Sequence, residues 1–147
     1  MYKAKVKSRK EGTLLNIANG HYRIIISGKE TEGRYAIIEM NVPPGAGPPP
    51  HAHINTEELF YVAEGSVDFY TEDGTQTAKM GDLIRVPKNG GVHAFKNISD
   101  KPAVLICTVY PSGFDEMFER VSQTPEHAKH IGEQFGNVFY PLDYFTV

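Results

Sequence analysis

The chain has 147 residues, 40% of them hydrophobic, with one cysteine and no tryptophan. That length suits one domain with a sizeable core and excludes two ordinary ones. A formal charge of −3, from 15 basic and 18 acidic residues, supplies no field to attract nucleic acid or an anionic membrane.

The basic N-terminus, MYKAKVKSRK, is not followed by the apolar stretch of a signal peptide, and no later run is long and apolar enough to span a bilayer. A soluble, cytoplasmic protein is expected. Lys3, Lys5 and Lys7 alternate, the pattern of a charged edge strand that resists unwanted pairing. Runs rich in Val, Ile, Tyr and Phe then recur at 21–26, 34–42, 58–65, 66–73, 75–80, 82–87, 92–98 and 103–110. Stretches such as PPGAGPPP, EDGT, PKNGG and SDKP separate them, and this spacing of strands and turns predicts a sandwich or barrel. Asp73-Gly74 reads as a tight hairpin turn. Cys107 falls in the last apolar run, AVLICTVY, where its neighbours would raise the thiol pKa and leave it as inert core.

Beyond residue 112 the period changes. Phe114, Met117, Phe118 and Val121 are spaced by three and four, an amphipathic helix pattern. A second helix is expected to begin with Thr124 as N-cap and Pro125 at its first position, and to stop at Gly136. The tail over 113–136 is therefore read as two short helices, followed by an extended, aromatic C-terminus.

The chemistry concentrates at His51-Ala52-His53. Three prolines immediately before His51 exclude a helix and favour an extended chain. On a strand, residues two apart share a face, so the two imidazoles project together. Burying both is unfavourable unless each has a partner, and a divalent cation satisfies both at once. Two glutamates follow, and alternation does not choose between them: Glu58 groups with Phe60 and Val62, Glu57 with Leu59 and Tyr61. His127 and His130 lie three apart on the second helix, but no third ligand accompanies them, and surface residues are expected. His21 reads as a strand-end or surface residue.

The order of these residues resembles the cupin superfamily. Its first motif is Gly, five residues, His-x-His, three or four residues, Glu, six residues, Gly, and Gly45, His51, His53, Glu58 and Gly65 stand at those separations. Its second is Gly, five residues, Pro-x-Gly, two residues, His, three residues, Asn. Gly81, Pro87, Gly90, His93 and Asn97 fit it, with one extra residue between proline and glycine in a turn that tolerates added length. The likeness spans about residues 35–110, and VPPGAGPPPHAH, YPSGFDEMFERV and the helical tail are similar to small one-domain cupins of the quercetin 2,3-dioxygenase-like kind.

The resemblance implies an all-β, cupin-type double-stranded β-helix (jelly-roll) barrel with two short C-terminal helices, one cupin domain over residues 1–147. It implies one divalent metal ion held by His51, His53, Glu58 and His93, with Glu58 rather than Glu57 as the carboxylate ligand. Three imidazoles and a carboxylate suit Fe, Mn, Ni, Cu, Co or Zn, and suit Ca or Mg poorly. Inward faces of the strands bearing Tyr35, Phe60, Tyr61, Phe69, Tyr70 and Phe95 would make an apolar pocket, with the helices over one mouth. The function implied is a mononuclear, quercetinase-like dioxygenase acting on a small aromatic or enolic molecule, with Glu58 also as catalytic base. The alternatives are a metal-dependent binding or sensing module without catalysis and a metal-dependent isomerase or decarboxylase. A homodimer is expected, with a small molecule as the other partner.

Overall fold

The computed structural model describes residues 3–145. Eleven strands and two helices follow one another in this order: β1 Thr13–Ile17, β2 Gly20–Ile26, β3 Ala36–Val42, β4 His51–Ala52, β5 Glu57–Glu64, β6 Ser66–Thr71, β7 Gly74–Lys79, β8 Leu83–Val86, β9 His93–Lys96, β10 Ala103–Tyr110, α1 Phe114–Gln123, α2 Ala128–Gln134 and β11 Val138–Phe139. A six-stranded sheet has the order β1-β2-β3-β10-β5-β8, and a five-stranded sheet the order β11-β4-β9-β6-β7. The chain crosses repeatedly between them, as in a double-stranded β-helix. The expected barrel is therefore two separate hydrogen-bonded sheets, with β1 and β8 at the edges of one and β11 and β7 at the edges of the other.

Strict alternation in the central strands builds the core. In β3 the residues Ala36, Ile38, Met40 and Val42 are buried, and in β10 Ala103, Leu105, Cys107 and Val109. β10 pairs with β3 on one side and β5 on the other, so Ile38, Cys107 and Phe60 form one row across the sheet. A one-residue slip would turn every one of these side chains outward, which fixes the register. Each fully buried aliphatic side chain contributes roughly 1.5–3 kcal/mol to stability.

All eight strands read from the sequence are present, and so are both helices. Phe114 and Met117 are buried on α1, with Phe118 and Val121 packed against the core. Thr124 and Pro125 open a short 3-10 turn that leads into α2, and Gly136 follows the helix at φ 91°. Three expectations require correction. Lys3, Lys5 and Lys7 lie on no strand; Lys7 instead pairs with Glu30. The first strand is β1, whose hairpin to β2 turns on Ala18 and Asn19, both at positive φ. The β6–β7 turn is formed by Glu72 and Asp73, because Thr71 pairs with Gly74, which begins the return strand at φ 125°.

The proline-rich segment between β3 and β4 is positioned by two backbone bonds to the end of β9: Gly45 N–H donates to Asn97 O at 2.7 Å, and Asn97 N–H donates to Ala46 O at 2.9 Å. Gly47 rests so close to β9 that a Cβ there would stand 1.9 Å from the Phe95 carbonyl oxygen. Asn97 is fully buried. Its amide donates to the Val42 and Lys101 carbonyls at 3.0 and 2.7 Å, and its oxygen accepts from Ser99 N–H and Oγ at 2.9 and 2.7 Å. The asparagine that ends the second motif is thus a bracket between strands, and the chain leaves it aimed at His51.

Candidate metal centre

β4 has only two residues but lies between β9 and β11, and His51 stands directly opposite His93 across the β4–β9 pair. Residues directly opposite share a face, so the two imidazoles meet, with ring centroids 4.4 Å apart. His53 follows as the chain leaves β4, and Glu58 projects from the inner face of β5 in the other sheet. One ligand atom from each of His51, His53, Glu58 and His93 lies within 4.8 Å of the others. All four residues that the sequence singled out are brought together, drawn from both sheets. Glu57 points the other way, where its carboxylate accepts a 2.8 Å hydrogen bond from Arg85 Nε.

The imidazoles are oriented by the backbone. His51 Nδ1–H donates to Pro49 O at 2.8 Å, His53 Nδ1–H to Thr56 O at 3.0 Å, and His93 Nδ1–H to Gly91 O at 3.1 Å. A carbonyl can only accept, so each Nδ1 carries the proton and, in the neutral ring, each Nε2 presents a lone pair. This is the outer-shell arrangement that fixes tautomer and ring plane in metal-binding histidines. The extra residue after Pro87 does not disturb it: Asn89 at φ 55° and Gly91 at φ 86° shape a turn that leaves the Gly91 carbonyl beside His93.

These donors form an electron-rich cluster. His53 Nε2 is 2.6 Å from Glu58 Oε1, His93 Nε2 is 3.8 Å from the same oxygen, and His93 Nε2 is buried with no hydrogen-bond partner. His53, Glu58 and His93 are each under 5% exposed. Three imidazole lone pairs and a buried carboxylate converging on one point are unfavourable unless positive charge lies among them, and a divalent cation would supply it. Burial pushes the Glu58 carboxyl up, but the neighbouring His53, His93 and His51 outweigh it and hold the group down at about 2. Burial, and then the neighbouring His93, hold His51 down at about 4. Near neutral pH the carboxylate is ionised and His51 is neutral, the protonation states that metal ligation requires. The donor set therefore fits a transition metal.

Aromatic rings surround the donors. Phe114 meets His53 edge-on at 5.2 Å, Phe69 stacks on His93 at 6.1 Å, and Phe139 lies 6.3 Å from His51. Next to His51 and Glu58 is a cavity of about 330 Å³, walled by Phe60 and Phe95 from the strands and by Phe114, Met117 and Phe118 from α1. The helical tail does cover this opening. Of the other aromatic residues expected near the pocket, Tyr61 is exposed on the outer face, Tyr35 packs toward Tyr110, and Tyr70 does not line the cavity. The sequence reading missed Tyr22, Met40 and Phe139 as cavity residues. Met40 and Tyr22 do stand on buried positions of alternating strands, a signal that marks core without distinguishing cavity wall. His127 and His130 are exposed and belong to no metal-binding group among the described residues. Cys107 is buried, its thiol 3.6 Å from Glu58 Oε2 and pushed up by burial and by that carboxylate.

Comparison with known proteins agrees with this architecture. Residues 38–109 match the family described as the cupin domain. Quercetin 2,3-dioxygenase of Bacillus subtilis (strain 168) is 25% identical over 116 residues, which are 79% of this chain and 34% of the relative. Germin-like protein subfamily 2 member 1 of Arabidopsis thaliana is 35% identical over 95 residues, 61% of this chain and 42% of the relative. The chain thus spans well under half the length of these curated relatives. Among solved structures, KdgF from a Halomonas species superposes with a TM-score of 0.66 at 16% identity, covering 78% of this chain and 99% of that one, a likeness of fold. No helix among the described residues is long and apolar enough to cross a membrane. Two motifs in register, two facing sheets with four ligand residues between them, and these matches together make the chain a cupin-superfamily protein similar to quercetinase-like proteins.

Proposed function

We propose that the protein is a mononuclear, metal-dependent oxygenase acting on a small aromatic or enolic molecule that chelates the ion through oxygen. The observation that carries this reading is the set of three Nε2 lone pairs, each fixed by a backbone carbonyl, converging with Glu58 at one end of an apolar cavity. The cavity, about 330 Å³, falls near the lower end of the ~300–1,000 Å³ range of small-molecule sites, which favours a compact substrate. A transition metal held by His51, His53, Glu58 and His93 would supply Lewis acidity and a redox-capable centre.

The remaining work falls to the chain's own groups. Phe60, Phe95 and Phe114 form apolar walls that exclude water and accept a planar ring. Glu58 is the only carboxylate among the described residues lining the cavity, so it is the group placed to take a proton from a substrate hydroxyl. Cys107 S–H, directed at Glu58 Oε2, helps to hold the carboxylate in one orientation.

Metal analysis of untagged protein, followed by oxygen uptake across a panel of flavonols and catechols, tests the proposal. About one transition-metal ion per chain and substrate-dependent oxygen consumption are expected. Turnover that persists without oxygen would replace it with an isomerase or decarboxylase, and saturable binding without turnover with a sensing module. Full turnover in Glu58→Gln would remove the carboxylate from the mechanism.

A further inference from the structure

Three buried residues lining the cavity carry polar side-chain groups: Glu58, Asn137 and Tyr22. Two of them are committed within the protein. Glu58 contacts His53 and Cys107, and the Asn137 amide donates to Met117 Sδ at 3.3 Å and to Gly132 O at 3.2 Å. Tyr22 is 9% exposed, and its hydroxyl makes no hydrogen bond to any described residue. The hydroxyl keeps some accessible surface, and the hydroxyl of a largely buried tyrosine ordinarily finds a partner. Its ring is set in place by Phe118 of α1, which meets it edge-on with centroids 5.1 Å apart.

The position of Tyr22 relative to the donors follows from the strand register. Tyr22 pairs with Met40, Met40 with Leu105, and Leu105 with Val62, whereas Glu58 lies four residues back along β5. At about 3.3 Å per residue, the two rows are roughly 13 Å apart in the backbone, and the long tyrosine side chain spans part of that gap. Tyr22 and the donors His51 and Glu58 therefore line one cavity from separate rows of the fold. We propose that the Tyr22 hydroxyl is a second anchor for the bound molecule, donating a hydrogen bond to an oxygen on the part of the ligand away from its chelating oxygens. The ligand class this defines is an apolar, ring-bearing molecule with oxygen functions at both ends. Burial, and then the nearby Cys107 and Glu58, push the phenol pKa up, so the group stays protonated and acts as a donor.

The inference rests on the proposed chelation of a small oxygenated molecule, and the test separates the two. Metal-loaded protein and its Tyr22→Phe variant, which keeps the ring against Phe118, are titrated anaerobically with quercetin and with 3-hydroxyflavone. Both probes carry the same chelating pair, and only quercetin adds hydroxyls on its outer rings. The variant should bind quercetin about five- to tenfold more weakly, as expected for one hydrogen bond, with no matching loss for 3-hydroxyflavone. Its Tm should stay level or rise, since the hydroxyl has no partner to lose. Equal losses for the two probes, or no loss for quercetin, would overturn the role of Tyr22 and leave chelation standing; so would a lower Tm with unchanged binding. Failure of the parent to bind either probe would remove the chelation reading and the second anchor with it.

Discussion

Two groups of histidines lie in this chain, and their contrast shows what makes a site. His127 and His130 are close in sequence, exposed, and beside one another on the helical tail, where His130 Nε2 lies 3.4 Å from the side-chain amide of Gln134. His51, His53 and His93 span 42 positions of sequence, yet each gives its Nδ1 proton to a backbone carbonyl and faces the same buried carboxylate. Proximity along the chain marks the first group, and rings oriented by backbone carbonyls mark the second. A histidine free to rotate loses entropy on binding a metal, whereas one already fixed by its outer partner does not.

Four variants would break or sharpen that contrast. The largest effect is expected from His93→Ala, which removes a ligand and leaves Glu58 and His53 buried around a gap. Metal affinity should fall by more than ~100-fold, beyond the ~10–100-fold typical of losing an outer-shell partner, as read by competition with a chromophoric chelator. Glu58→Gln comes next: it keeps the shape but deletes the negative charge, and a loss of ~10–100-fold is expected in the same assay. Glu57→Gln should change stability by no more than about 0.5 kcal/mol in urea denaturation and leave metal content alone, because its partner Arg85 is largely solvent-exposed. The double change His127→Ala, His130→Ala should have no effect on metal content, and a measurable loss there would show that the tail histidines hold an ion after all.

Much of this contrast could be read from the sequence, for physical reasons. Period-two alternation in residues 36–42 and 103–110 reports burial directly, and a turn that needs positive φ selects glycine or asparagine strongly enough to punctuate strands. His-x-His after three prolines has few conformations open to it. Other features left no local trace. The β1–β2 turn places Ala18 at φ 48°, a conformation alanine does not advertise, and Leu14 of β1 is 68% exposed, so the strand shows only half of its alternation. The choice of Glu58 over Glu57 depends on which face of β5 meets the other sheet, a tertiary fact that alternation alone leaves open. Phe139 reaches His51 only because β11 returns to pair with β4, across 88 positions of sequence. Cavity walls look like core residues in a sequence, since both are apolar and inward; what separates them is the space left between them.

The position of β4 has an implication for what counts as the working unit. The strand that carries His51 is flanked by β9 on one side and by β11 on the other, and Tyr140 N–H adds a 2.9 Å bond to the Pro50 carbonyl. The cupin match ends at residue 109, so it includes all four ligand residues but neither β11 nor the helices that wall the cavity. A polypeptide cut after Tyr110 would keep every donor and lose the clamp on one of them. The same connection ties the helices that wall the cavity to the strand bearing His51.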